Sequence, residues 1–269
     1  MHAGCCAKPV LPLKDETFAP QDLTLDSFLG GAVRLYQPKS GYRAGIDPVF
    51  LAASVPASAG DRVLELGCGA GPALCCLGRR VPGVSLTGLE LQPAYADLAR
   101  RNTASNGFDA MIADGDLRAP PSSIKSQSFD YVMLNPPYFE PGSRAVADRP
   151  DRELALAGET PLSDWIDCAA RRTRPKGWVH VIQRAERLPE LLTAMSRTLG
   201  SIGLLPLLPR AGRGPRLILV RGRKEGRAAF RFHPGIVLHQ NATHERDAED
   251  YTAEITAVVR SCQALPFPD

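Results

Sequence analysis

From Arg62 onward, apolar runs of about five or six residues alternate with stretches in which apolar positions return every three or four residues. Arg62–Leu66, Val84–Glu90, a short run at Ala110–Ala113 and Phe129–Leu134 read as strands. Pro72–Arg80 and Pro93–Asn106 read as helices, the second stopped by the left-handed signal Asn106-Gly107. Farther on come a helix at Leu162–Arg172, a strand at Gly177–Gln183, a helix at Leu188–Leu199 and strands at Gly203–Leu208 and Arg216–Arg221. Alternation this dense predicts an α/β fold: a parallel sheet with helices on both faces. Only Pro209–Pro215 joins the last two strands, too short for a crossover helix, so they run antiparallel as a terminal hairpin.

Before this alternation, Phe28–Pro38 reads as a hairpin bending at Gly30-Gly31, and Asp47–Val55 as a short helix with Asp47 at the N-cap and Pro48 in the first turn. The expected organisation is a leader over 1–21, one domain over 22–240, and a tail over 241–269 with a helix at Glu245–Cys262.

Composition narrows the classes. The 269 residues are 44% hydrophobic, enough for a sizeable core, and no apolar run approaches the ~18–20 residues of a membrane helix. The N-terminus carries neither an export nor a myristoylation pattern. Seven cysteines include the adjacent pairs Cys5-Cys6 and Cys75-Cys76 but no C-x-x-C, and the five histidines are scattered. The expectation is a cytoplasmic protein with free thiols, no disulfide framework, no metal site and no membrane span. Net charge is +3, but Arg171–Arg231 holds 15 Lys/Arg against three acids, so the remainder carries −9. Such asymmetry suits a polyanion such as RNA, and also suits solvated helices and loops.

Glu65-Leu66-Gly67-Cys68-Gly69-Ala70-Gly71 lies between a strand and a helix. Glycines there let the backbone turn tightly against a ligand, and the helix beyond offers unpaired N–H groups. Glu90, at the end of the next strand, is placed to accept the two ribose hydroxyls of a nucleoside. A dinucleotide fits less well, because the third glycine comes one residue early, Pro72 takes the sixth position, and Glu65 would repel a pyrophosphate. A ligand with an ammonium group suits Glu65, which points to S-adenosylmethionine. Asp116, in Asp114-Gly115-Asp116, follows the third strand and either accepts the adenine amine of that cofactor or marks an ordinary turn.

The strand ending Val132-Met133-Leu134 opens into Asn135-Pro136-Pro137-Tyr138, followed by Phe139. Ligands of open α/β sheets sit beyond the carboxyl ends of strands, so this loop and the glycine turn share a crevice. The two prolines fix the backbone and lack N–H donors, which predicts bare carbonyls facing the crevice. The Asn135 amide oxygen and the Pro136 carbonyl then form an acceptor pair, with Tyr138 as a stacking surface. That set suits a planar NH2 group: it draws off the two N–H hydrogens, favours pyramidal nitrogen and stabilises the positive charge that grows there.

Asn135–Tyr138 with Glu65–Gly71 resembles the class I amino-methyltransferases. Asp26-Ser27-Phe28-Leu29-Gly30-Gly31, Gln37-Pro38 with Gly41–Asp47, and Gly88-Leu89-Glu90-Leu91-Gln92-Pro93 resemble the bacterial tRNA1(Val) adenine N6-methyltransferase family, and the likeness runs from about Asp26 to His239. The resemblance implies a seven-stranded Rossmann-like sheet with one reversed strand, S-adenosylmethionine as donor, and methylation of the adenine 3′ of the valine anticodon. It also implies that residues 22–57 cover the cofactor, with Arg43 and Asp47 as contacts. Pro48, Phe50 and Pro72 depart from the pattern, and the tail beyond Asn241 has no counterpart in it. Alternative substrates are a protein glutamine amide, ribosomal RNA or DNA adenine. A non-catalytic module that binds RNA or cofactor is the reading from a different class.

Overall fold

The structure, a computed structural model, describes residues 17–138, 160–240 and 250–268. Cys5-Cys6 and most of the expected leader, Phe139, and residues 245–249 of the expected tail helix lie outside those residues; within them that helix starts only at Ala253, capped by Thr252, whose hydroxyl accepts the Ile255 N–H.

The hairpin forms a separate two-stranded sheet of β1 (Leu23–Phe28) and β2 (Val33–Pro38), with a 3-10 turn at Leu29–Gly31 where the two glycines bend. After α1 (Asp47–Ser54) come β3 (Arg62–Leu66), α2 (Pro72–Arg80), β4 (Ser85–Glu90), α3 (Pro93–Ser105) and β5 (Ala110–Asp114). A one-turn helix, α4 (Ser122–Lys125), precedes β6 (Phe129–Leu134). The second half carries α5 (Leu162–Arg172), β7 (Thr173–Arg184), α6 (Leu188–Ser196), β8 (Gly200–Leu208) and β9 (Leu217–Arg223). Two-residue strands β10 (Arg231–Phe232) and β11 (Ile236–Val237) and the helix α7 (Ala253–Ser261) follow. Asp47 is not the N-cap of α1, as its spacing suggests. Ile46 holds that position and Asp47 is the first helical residue, its carboxylate taken by Tyr138.

The seven main strands lie in the order β5-β4-β3-β6-β7-β9-β8, and only β9 is antiparallel to its neighbours. This is the seven-stranded order with one reversed strand that the resemblance implies. The expected hairpin of β8 and β9 is present, with β9 inserted between β7 and β8. Short β10 and β11 extend it by pairing along the outer edge of β8.

Strands buried on both faces explain the near-continuous apolar runs. Along β3, Val63 packs into one cluster with α1, α2 and α7, while Leu64 and Leu66 pack into another with α5 and α6. Ile255, Val258, Leu265 and Phe267 bring the chain after residue 250 into the first cluster. The hairpin docks on α3 through two side-chain amides. Asn102, fully buried, bonds both the N–H and the C=O of Tyr36 at 2.7 and 3.0 Å, and Asn106 does the same for Arg34 at 3.0 and 2.7 Å. Satisfying an edge strand in this way fixes the hairpin on α3, beside the Gly67–Gly71 turn, whose Ala70 carbonyl Asn102 also bonds at 2.9 Å.

Candidate active site

Strands β4 and β5 lie on one side of β3, and β6 and β7 on the other, so the chain changes direction across the sheet between β3 and β6. The register pairs Leu66 with Leu134, so the next residues, Gly67 and Asn135, leave adjacent strands at the same level. A cavity of about 500 Å³ opens there, and it is lined by Glu65, Gly67, Gly69, Glu90, Asp116, Asn135, Pro136, Pro137, Tyr138 and Arg43. The residues singled out from the sequence therefore line one cavity except Gly71, which packs against Ala99, and Asp47, which stands behind Tyr138 and bonds its hydroxyl.

Gly67 has φ +65° and Gly69 φ +53°, backbone conformations that disfavour a side chain. A Cβ on Gly67 would fall 2.5 Å from the Trp165 ring, whereas a Cβ on Gly69 would meet nothing within 4 Å. The first glycine closes the floor against α5, and the second leaves the backbone open to a ligand. The Gly69 N–H donates to Glu90 Oε2 at 2.8 Å and the Gln92 N–H to Oε1 at 3.0 Å, which aims the Glu90 carboxylate across the turn.

Among the described residues, two buried polar atoms in the cavity wall have no hydrogen-bond partner, Glu65 Oε2 and Trp165 Nε1. Burial pushes the Glu65 carboxyl well above the usual carboxylate range, and Glu90 adds to the rise. Burial raises Glu90 too, against the pull of the backbone amides that bond it. Leu74 bonds the Glu65 carboxyl through its backbone, and the oxygen left without a partner among the described residues fits a ligand ammonium, which would supply the missing hydrogen bond and the opposite charge. The residues thus fit S-adenosylmethionine. Asp116 sits on the rim, held below its ordinary range first by the Arg118 side chain, which bonds both its oxygens at 2.6 to 3.1 Å.

The carbonyls of the Asn135–Tyr138 loop are not bare, as the two prolines suggest. Pro136 O accepts from Gln183 Nε2 at 3.3 Å and Pro137 O from Arg187 Nη1 at 2.8 Å. Two carbonyls with no neighbouring N–H to pair would be costly to leave unsatisfied, and side chains at and beyond the end of β7 supply the donors. A carbonyl oxygen has two lone pairs, so Pro136 keeps one for the cavity. The Asn135 amide makes no hydrogen bond among the described residues. Tyr138 has the Arg184 guanidinium 5.1 Å from its ring centroid, and burial, then Asp47, push its hydroxyl far up.

Residues 41–47 are tied down from several sides. Tyr42 N–H donates to the Tyr95 hydroxyl at 2.9 Å, and Ala44 N–H to Gln37 Oε1 at 2.7 Å. Arg43 reaches the cavity, yet its guanidinium bonds Asp26 at 2.5 Å, Thr24 at 2.8 Å and the Pro38 carbonyl at 2.7 Å. Asp26, Gln37 and Arg43 thus form one network that shapes this cover. Trp165, Tyr95, Gln183 and Arg187 escape a reading of the sequence because each sits where a helix or strand pattern explains it. The one signal available is a polar and charged run at the end of an otherwise apolar strand, Gln183-Arg184-Ala185-Glu186-Arg187.

The Methyltransferase small domain family model matches residues 44–150. A tRNA1(Val) (adenine(37)-N6)-methyltransferase of Porphyromonas gingivalis is 32% identical over 209 residues, covering 74% of this chain and 78% of that protein. A release factor glutamine methyltransferase of Deinococcus radiodurans is 38% identical over 105 residues, covering 38% of this chain and 36% of that protein. Among solved structures, a predicted O-methyltransferase from Agrobacterium tumefaciens shares the fold with a TM-score of 0.67 at 21% identity, covering 83% of this chain and all of that one. With the glycine turn, the acid-ended second strand and the Asn-Pro-Pro-Tyr loop gathered in one cavity, and with this extent of likeness, the chain belongs to the tRNA1(Val) (adenine(37)-N6)-methyltransferase family and is an S-adenosylmethionine-dependent methyltransferase.

Proposed function

We propose that the protein methylates N6 of an adenine in structured RNA, the adenine 3′ of the anticodon of valine tRNA. The observation that carries this reading is the Asn135 amide, which makes no hydrogen bond among the described residues and lines the same cavity as Glu65, whose Oε2 has no partner among them. Glu65 binds the cofactor's ammonium, Glu90 its ribose hydroxyls and Asp116 its adenine amine, while the Gly67–Gly71 backbone lets it lie close. When bound, S-adenosylmethionine supplies a methyl group on a positively charged sulfur, which leaves as a neutral thioether.

Asn135 Oδ1 and Pro136 O accept the two hydrogens of the target NH2, and the face of Tyr138 not covered by Arg184 stacks the base. Their joint effect is to hold the nitrogen lone pair toward the methyl and to stabilise the charge that develops on nitrogen. The surplus proton then passes to solvent, so no strong base is needed. An adenine in a loop is already unpaired, and splaying it onto Tyr138 costs little.

The glutamine amide is the second reading, favoured by the likeness of 105 residues to the release factor glutamine methyltransferase. The tRNA-modifying relative matches about twice as much of the chain, 74% against 38%, and a protein substrate leaves the basic residues of Arg171–Arg231 unexplained. The test is transfer of labelled methyl to total tRNA, total rRNA and release factor protein, with nuclease digestion and mass spectrometry of the product. N6-methyladenosine in valine tRNA is expected, and label confined to protein would refute the reading.

A further inference from the structure

We infer that the loop between β8 and β9, continuous with Arg184 at the end of β7, is the surface that grips the phosphates of the RNA; this rests on the RNA reading above. The basic residues of Arg171–Arg231 do not form one field. At the end of the sheet away from the cavity, Arg174 pairs with Asp130 at 2.5 Å, Arg223 donates to the Lys176 carbonyl at 3.0 Å, and Lys224 to the Thr173 carbonyl at 2.7 Å. Near the cavity, Arg187 is engaged by the Pro137 carbonyl and Glu190, and Arg210 pairs with Asp250 at 2.7 Å. Three arginines remain at the cavity end: Arg184, Arg213 and Arg216. All are exposed, and none forms an ion pair among the described residues.

These three form a continuous strip. It starts at Tyr138, whose ring centroid lies 5.1 Å from the Arg184 guanidinium. The Ala185 N–H donates to the Arg216 carbonyl at 3.0 Å, which sets Arg216, just before β9, beside the end of β7 at Arg184. From there the chain runs back through Pro215 and Gly214 to Arg213. The Arg213 N–H closes a turn on the Arg210 carbonyl at 3.1 Å, and the Arg210–Asp250 pair anchors that turn to the body of the protein. Glycines on both sides of Arg213, Gly212 at φ +73°, let a nucleic-acid backbone approach the main chain closely. Glu186 is the one exposed acid in this stretch that no arginine takes up among the described residues. A base splayed onto Tyr138 leaves its flanking phosphates just outside the cavity, where this strip begins. Guanidinium groups bind such phosphates through paired hydrogen bonds.

The test compares two double charge reversals with the wild-type enzyme on an unmodified valine tRNA transcript. Arg213→Glu with Arg216→Glu changes the strip. Arg171→Glu with Arg197→Glu makes the same charge change at the opposite end, beyond α5 and α6. For the first, KM for tRNA should rise about tenfold or more while kcat and cofactor affinity stay within about twofold. The slope of log affinity against log salt should become shallower by roughly 0.7–0.9 for each phosphate that is no longer neutralised. The second should match the wild type in all of these. Equal weakening in both variants, or none in the first, overturns the assignment of this surface. A wild-type enzyme that labels protein and no RNA overturns the RNA reading itself, and that result is visible before any variant is made.

Discussion

Gln183 is completely buried and its side-chain amide donates to the Pro136 carbonyl at 3.3 Å, while its Oε1 accepts the Arg184 N–H at 2.8 Å. The register makes this contact: Leu134 pairs with Val181, so two residues farther along each strand Pro136 lies beside Gln183. An amide at this point fixes where the second acceptor of the site aims. Gln183→Met keeps the bulk and removes the donor, so kcat should fall about 10- to 100-fold with cofactor affinity within about twofold. Steady-state kinetics beside calorimetric titration of the cofactor would check it. An unchanged kcat in a folded variant removes Gln183 from the positioning of the loop.

Asn135→Ala deletes the other acceptor. The Asn135 side chain makes no hydrogen bond to the rest of the described protein, so the fold and cofactor affinity should be nearly unaffected. Turnover should drop by about two to three orders of magnitude, as when one preorganised group facing developing charge is removed. Single-turnover methyl transfer at saturating cofactor reads this directly, and a wild-type rate would falsify the role given to Asn135.

The sheet is legible in the sequence because its strands are buried on both faces and so appear as unbroken apolar runs, Val63-Leu64 and Val132-Met133-Leu134 among them. The same holds for the glycine turn, where the backbone itself forms the site. Long-range side-chain contacts are not legible. Nothing local marks Gln183 as a partner for a residue 47 positions earlier, or Asn102 as a partner for Tyr36 across 66. The arginine block misleads in a different way. Composition counts charge along the chain, whereas the fold sends β7 and β9 in opposite directions and so divides the block between both ends of the sheet. Strand β10 and the insertion of β9 are equally invisible, since a two-residue edge strand has no period and strand order is not a property of any one strand.

Gly67 and Gly69 have similar backbone angles but different surroundings, which separates stability from binding. Gly67→Ala meets the Trp165 ring in addition to the left-handed strain, so it should lose about 2–3 kcal/mol of stability. Gly69→Ala has open space and should lose only about 1–2 kcal/mol, from the backbone alone. Its new methyl group lies toward the cavity, so cofactor affinity should fall at least tenfold. Denaturant unfolding and cofactor titration on the two variants separate the effects, and equal stability losses would contradict the difference in packing.

The Glu65 carboxyl is raised by burial and by Glu90, so without a cation beside it the group prefers to keep its proton. A raised carboxyl contributes stability that is complete below its ordinary value, about 4.3, and is lost as pH climbs through the raised one. An ammonium beside it reverses the preference, because the ionised form then has a partner. Cofactor binding should therefore release a proton, and affinity should strengthen as pH rises from the ordinary carboxylate range toward neutrality. The upper limit is set by the ligand amine, which itself begins to lose charge near about 7.7–8.0. Titration calorimetry in two buffers of different ionisation heat counts the protons, and Glu65→Gln should weaken binding and abolish most of the release. An affinity that weakens with rising pH across this window would mean that Glu65 meets something other than a positive charge.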